Sequence, residues 1–196
     1  MARDAVDSAL DDAALVRAAQ RGDREAFGVL VSRYGSSMLS VTLRMLGSAA
    51  DAEDVAQETF VAAYKAVGSF QSDAKFSTWL YRIAVNKCKD ALRARRPGTI
   101  SLDATGDGGG AAWEPADDET PHWKLEQVEL AWELDQGIQA LPPLYREAFV
   151  LRHVEGLGYD EMSAILDVHR DTLKMRVYKA RTQLCQSLAH LDGAHR

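Results

Sequence analysis

The residue patterns with the clearest chemistry are cationic. Arg82, Asn86, Lys89 and Arg93 recur at i, i+4, i+7 and i+11, with Trp79 beside them, Lys75 just ahead and Phe70 in the preceding loop. Cations on one helix face neutralise phosphates, and an aromatic among them offers a stacking surface to an unpaired base. The spacing equally fits an ordinary basic helix with Trp79 turned into a core. A second cationic arc comprises Arg170, Thr172, Lys174, Met175, Tyr178, Lys179 and Arg181, opposite the apolar stripe Leu173, Val177, Ala180, Leu184 and Leu188. It follows an apolar-patterned segment, 159–166, and a short turn at Asp167-Val-His-Arg170, with Ala164 expected where two helices cross. That is the pattern of a helix-turn-helix whose second helix enters a major groove, where some side chains reach base edges and others grip phosphate. A solvated basic helix in a bundle is the alternative.

A third face is acidic. Over 51–67, Val55, Ala56, Thr59, Phe60, Ala63 and Val67 share one side, while Asp51, Asp54, Gln57 and Glu58 share the other with Val61 and Lys65. The outward side fits a solvated surface or a dock for a basic partner helix, and periodicity does not choose between them.

Covalent chemistry finds no support. Cys88 and Cys185 form no CxxC pair, and Cys88 falls on the apolar side of its helix, so neither a disulfide framework nor a zinc knuckle is expected. Asp51, Asp54 and Glu58 lack a neighbouring histidine, as a metal hydrolase would need, and His169, His190 and His195 are irregularly spaced. GxxxxGK[ST], HExxH and GxSxG are absent, and Gly106-Asp-Gly-Gly-Gly110 lacks the strand-to-helix setting of a phosphate loop. No catalytic residue, metal or cofactor is expected.

The elements that must position these faces are helical throughout. The chain has 196 residues, 46% of them apolar, with 23 Lys+Arg against 29 Asp+Glu for a net charge of −6. Helical periodicity runs from about Leu10 to Arg96, with breaks at Gly22-Asp23, Gly47-Ser48 and Gly68-Ser69. Asp51 is expected as the N-cap of the acidic helix. From Pro97 a Gly-, Pro- and Asp-rich stretch loses any apolar period; helical patterning resumes near Trp123, breaks at Leu141-Pro142-Pro143 and continues to about Leu191. Residues 101–135 carry ten acids and one Lys, a charge of −9, so the remainder of the chain is −6 − (−9) = +3. The acidity belongs to the connector and its flank, where it either confers solubility or mimics nucleic acid and keeps basic surfaces occupied. No run reaches the roughly 18 apolar residues of a membrane span, and the charged N-terminal stretch shows no signal core. An all-α protein is expected, with two small helical domains joined by a flexible acidic linker, in a reducing cytoplasm.

In combination, AVGSFQSDAKFSTWLYRIAVNKCKDALRAR after DAEDVAQETFVAAYKA, and LPPLYREAFVLRHVEGLGYDEMSAIL before a basic helix, resemble the extracytoplasmic-function (ECF, group IV) sigma factors of bacterial RNA polymerase, of the sigma-E type. The resemblance implies a sigma-2 helical bundle over 10–96 and a sigma-4 helix-turn-helix domain over 127–191, joined by a linker over 97–126, with tails at 1–9 and 192–196. It further implies that Asp51, Asp54, Gln57 and Glu58 dock on the polymerase clamp. Phe70, Lys75, Trp79, Arg82, Asn86, Lys89 and Arg93 would capture the minus-ten element as it opens. Arg170, Thr172, Lys174, Met175, Tyr178, Lys179 and Arg181 would read the minus-thirty-five element, with sigma-4 on the polymerase flap. The implied partners are core RNA polymerase, promoter DNA and an anti-sigma factor, through which the chain could be held at the inner membrane without inserting. Relatives commonly carry Gly at the turn, Gly where Asp171 stands and Ser where Met175 stands. Asp167 can take the left-handed turn conformation, Asp171 can help cap the second helix, and the two departures at 171 and 175 bear on promoter choice. The competing assignment is a stand-alone helix-turn-helix regulator that binds an operator without polymerase.

Overall fold

The computed structural model describes residues 11–71, 75–95 and 122–189, and every regular element among them is helical. Helix α1 (Asp12–Gln20) buries Leu15, Val16 and Ala19. Asp23 then caps α2 (Arg24–Leu46) by accepting from the Ala26 N–H at 3.1 Å. Helix α2 ends at Gly47, whose φ of 74° gives the left-handed stop that glycine enters without a Cβ penalty. Helix α3 (Ala49–Ala66) is capped by Ser48, not by Asp51 as expected. The Ser48 hydroxyl accepts from the Asp51 N–H, a long bond at 3.4 Å, so the helix starts earlier and Asp51 lies in its first turn, where a carboxylate suits the helix dipole.

A 3₁₀ turn at Val67–Ser69 and the loop bearing Phe70 lead to α4 (Phe76–Ala94), which buries Phe76, Leu80, Tyr81, Ala84, Val85 and Cys88. The Gln20 amide on α1 donates to the carbonyls of Val67 (3.1 Å) and Phe70 (2.9 Å), fixing where that loop leaves the bundle. Helix α5 (His122–Ala140) begins inside the expected linker, so 122–126 are helical; the rest of the expected linker, and both expected tails, lie outside the described residues. The Pro142-Pro143 break separates α5 from α6 (Pro143–Phe149), with Pro142 as N-cap and Pro143 in the first turn, where its missing N–H costs nothing. A π-type turn at Val150–Val154 follows, then α7 (Tyr159–Leu166) and α8 (Arg170–Ser187).

Both expected helical groups are present, α1–α4 and α5–α8, and they also pack on one another. One core cluster runs from Leu30, Met38 and Leu80 in the first to Ile138, Leu151 and Met162 in the second. The C-terminal carbonyls of α2, which no helical N–H can reach, are taken by side chains from elsewhere. Gln139 donates to Leu43 (3.2 Å) and Arg44 (2.7 Å), Arg146 to Met45 (2.8 Å), and Arg95 to Leu46 (3.0 Å). Two of those three donors come from the second group, so the end of α2 is a socket for α5 and α6. Burial holds the Arg146 guanidinium below the usual arginine range, and its Nε is left without a partner.

Candidate nucleic-acid interfaces

The helix-turn-helix is built as its spacing predicts. Helix α7 buries Met162, Ile165 and Leu166, and α8 buries Leu173, Val177, Ala180 and Leu184. Between them Asp167 is the one described non-glycine residue at positive φ, 54°, so the left-handed turn expected of it is present. The turn is held by the Ser163 hydroxyl donating to the Val168 carbonyl at 2.8 Å. All seven residues of the expected arc, Arg170, Thr172, Lys174, Met175, Tyr178, Lys179 and Arg181, are exposed on one side of α8. Met175 and Tyr178 are 54% and 65% exposed, large for apolar groups with no structural task, and suited to contact with a thymine methyl or the sugar–phosphate edge.

Two local expectations are corrected. Asp171 does not cap α8: the His169 imidazole Nδ1 accepts from the Asp171 N–H at 3.3 Å, and the Asp171 carboxylate instead takes the Lys174 ammonium at 2.9 Å. That hydrogen bond holds the Asp171 carboxyl below the usual carboxylate range, so it stays charged beside the cationic arc. Ala164 is not the small residue of a helix crossing. Its side chain is exposed, and its carbonyl accepts from Arg82 of α4.

On α4 the expected residues separate. Phe70 and Trp79 are half-buried and form one aromatic cluster with Phe76, with ring centroids 5.1–6.0 Å apart. Their packing sets the loop geometry and leaves each ring partly open. Asn86 and Arg93 are exposed, and Arg93 bonds Asp90 on its own helix at 2.5 Å. Lys75, Arg82 and Lys89, by contrast, reach the second group. The Lys75 ammonium donates to Glu161 at 2.7 Å, Arg82 donates from Nε to the Ala164 carbonyl at 2.9 Å, and Lys89 pairs with Glu147 at 2.9 Å. The Lys75 hydrogen bond pulls the Glu161 carboxyl below the usual range and raises the Lys75 ammonium in return. Glu161 also accepts from the Gly158 N–H at 3.0 Å, so one carboxylate caps α7 and ties it to α4.

Sequence reasoning missed Glu147. Its side chain is 3% exposed, and its two oxygens are divided between Lys89 of α4 and Arg176 of α8, the latter at 3.1 Å. Burying a carboxylate is costly unless charge and hydrogen bonds compensate it, and here two cations from different helices do so. The only sequence signal was an acid at a core-facing position of α6. Tyr81 was missed too; its hydroxyl donates to Glu155 at 2.5 Å, and burial with that carboxylate pushes the phenol above its ordinary range.

On α3 the acidic face is outward. Asp54, Gln57 and Glu58 are exposed and Asp51 is half-exposed, with Val61 53% exposed among them. Asp51 pairs with Arg95 and Glu58 with Lys87, the second at 2.8 Å. No group of three or more metal-ligating side chains, and no helix long and apolar enough to span a membrane, occurs among the described residues.

The fold and these faces define an all-helical protein of two groups, the second a helix-turn-helix whose second helix carries an exposed cationic arc. Sigma-70 region 2 matches residues 30–97 and Sigma-70 region 4 matches residues 131–184. The RNA polymerase sigma-H factor of Pseudomonas aeruginosa is 38% identical over 185 residues, covering 92% of this chain and 95% of that protein. The ECF RNA polymerase sigma-E factor of Escherichia coli K12 is 40% identical over 178 residues, covering 88% and 91%. Among solved structures, CnrH in complex with the cytosolic domain of CnrY aligns with a TM-score of 0.67 at 28% identity, over 94% of this chain and 99% of that one. The sigma factor RpoE of Bartonella quintana, solved with the anti-sigma factor NepR, shares the fold at a TM-score of 0.63 and 21% identity, over 83% and 96%. This chain belongs to the ECF sigma factors of RNA polymerase.

Proposed function

We propose that the chain binds core RNA polymerase, carries it to specific promoters and helps open them, with no chemistry of its own. In this reading 10–96 is the sigma-2 unit and 127–191 the sigma-4 unit. Asp51, Asp54, Gln57 and Glu58 dock on the clamp, and the second unit rests on the flap. Phe70, Lys75, Trp79, Arg82, Asn86, Lys89 and Arg93 take the opened minus-ten strand. The α8 arc reads the minus-thirty-five duplex. The carrying observation is that arc: seven consecutive-facing polar, cationic and apolar side chains, all exposed, above an unbroken buried stripe and a left-handed turn. The split between an outward acidic helix and two cationic ones supports a protein that grips a basic partner and a nucleic acid at once. A protein partner of the anti-sigma kind, and a cytoplasmic location, are inferred from the relative CnrH being held by the cytosolic domain of CnrY.

Run-off transcription with purified core polymerase on a genomic template library tests this. Promoter-dependent transcripts are expected. Asp54→Arg with Glu58→Arg should lose core binding while staying folded, and Lys174→Ala with Lys179→Ala should keep core binding and lose promoter selection. No transcript on any template, with tight operator binding by the chain alone, would instead identify a stand-alone regulator.

A further inference from the structure

The outward side of α8 has a midline and two flanks. At about 100° per residue, Asp171, Met175, Tyr178 and Thr182 fall opposite the buried Leu173, Val177, Ala180 and Leu184, and all four are exposed. Lys174 and Arg181 lie on one flank, Thr172 and Lys179 on the other. A helix seated in a major groove turns its flanks to the phosphate walls and its midline, above all near the N-terminus, to base edges. Asp171, outside the seven-residue arc, is the first residue of that midline. A carboxylate there is repelled by phosphate, and losing its water is costly unless a base supplies a donor.

Its neighbours leave Asp171 available for such a contact. The His169 imidazole caps α8, its Nδ1 accepting from the Asp171 N–H at 3.3 Å. Arg170 is turned away to Asp160 of α7 at 3.1 Å. Lys174 donates to Oδ1 at 2.9 Å, while Oδ2 stands 3.9 Å from the His169 Nδ1, outside hydrogen-bond reach, on a side chain 72% exposed. An acceptor and a donor are thus held side by side at the front of the helix.

We propose that Asp171 and Lys174 together read one C·G pair of the minus-thirty-five duplex, the carboxylate accepting from the cytosine N4 amino group and the ammonium donating to guanine O6 and N7. This rests on the assignment of α8 to that duplex. The 2.9 Å between Lys174 Nζ and Asp171 Oδ1 matches the separation of about 2.9 Å between cytosine N4 and guanine O6 in the pair they face, so each group meets its complement. The other bases fit less well. Guanine or thymine under Asp171 presents only acceptors to a carboxylate. Adenine N6 satisfies the carboxylate, but adenine then offers the ammonium N7 alone, where guanine offers two adjacent acceptors. An i, i+3 ion pair that merely steadied the first turn would be indifferent to the base.

The test uses holoenzyme reconstituted from the full chain and core polymerase, with a promoter found by run-off transcription whose minus-thirty-five window is randomised; bound templates are sequenced. At one position the native holoenzyme should favour cytosine over any other base by roughly tenfold. Asp171→Ala should abolish that preference and keep those at the other positions. Asp171→Asn should move it to adenine, since an amide bonds adenine N6 and N7 together. Uniformly tighter binding by both variants, with the base profile unchanged, identifies Asp171 as a repulsive charge and overturns the proposal alone. A native holoenzyme that enriches no sequence in the window refutes the assignment of α8 to the minus-thirty-five duplex, and the proposal with it.

A second measurement needs no substitution. Methylating the favoured cytosine at N4 keeps its Watson–Crick hydrogen bonds and removes the groove-facing N–H. The native holoenzyme should bind that template roughly tenfold more weakly, and Asp171→Ala should bind both templates alike. An unchanged native affinity, or an equal loss in Asp171→Ala, overturns the reading.

Discussion

Replacing Glu147 with Ala should destabilise the folded chain by an amount that its two partners set separately. Breaking a fully buried ion pair by removing one partner costs about 3–5 kcal/mol, because the remaining charge is stranded. The partners here are unequally buried: the Lys89 side chain is 29% exposed and that of Arg176 18%. Lys89 can swing its ammonium into water on a flexible stem, which reduces its share toward the ~0–1 kcal/mol of a surface pair. Arg176 is more enclosed, and its stranded guanidinium should cost about 1.5–3 kcal/mol. The expected loss for Glu147→Ala is therefore about 2–4 kcal/mol, and for Glu147→Gln, which keeps the shape and one acceptor, about 1–2 kcal/mol. With a urea m-value near 2 kcal/mol/M, the alanine variant should lower the unfolding midpoint by about 1–2 M. Double-mutant cycles with Arg176→Met and Lys89→Met should give couplings of about 1.5–3 and 0.5–1 kcal/mol respectively. An alanine cost below about 1 kcal/mol would refute the account of a compensated buried carboxylate. Zero coupling to Lys89, with the Arg176 coupling intact, would show that the two helix groups are not docked in solution.

Other consequences are independent of Glu147. Asp167 pays for its φ of 54°, so Asp167→Gly should raise stability by about 0.5–1 kcal/mol and Asp167→Val lower it by about 1–2 kcal/mol in thermal melts. Burial pushes the Cys88 thiol up to about 12, so iodoacetamide at pH 8 should alkylate exposed Cys185 and spare Cys88 until the chain unfolds, as read by mass spectrometry. Glu161 is held below its ordinary carboxyl value of 4.5, chiefly by the hydrogen bond from Lys75. Its contribution to stability is present above that value and lost as pH falls through the lowered one; NMR titration should show the Glu161 carboxyl moving back toward 4.5 in Lys75→Met, and an unmoved midpoint would remove Lys75 as the cause.

What could be read from the chain, and what could not, divides along the range of the interactions. The faces of α3, α4 and α8 were legible because a helix imposes its period on neighbouring residues: Val55, Ala63, Leu80, Cys88, Leu173 and Ala180 had to point one way if Glu58, Arg82 and Lys174 pointed the other. Asp167 was legible for a similar reason, since a tight turn restricts backbone angles to what the local residue tolerates. Local competition already blurred Asp51 against Ser48 as the cap, and His169 against Asp171, where neighbouring side chains could each reach the same orphan N–H groups.

The tertiary structure alone decided which cations of α4 are occupied. Lys89 and Glu147, Arg82 and Ala164, and Lys75 and Glu161 are separated by 58, 82 and 86 residues. No period relates such distant positions. Their meeting depends on how the open carbonyl end of α2 receives Gln139 and Arg146, and on a shared apolar seam whose shape exists only once both helix groups have formed. Local patterning could say that these side chains face outward from their own helices; whether outward means water, phosphate or another part of the same chain is a property of the docked whole.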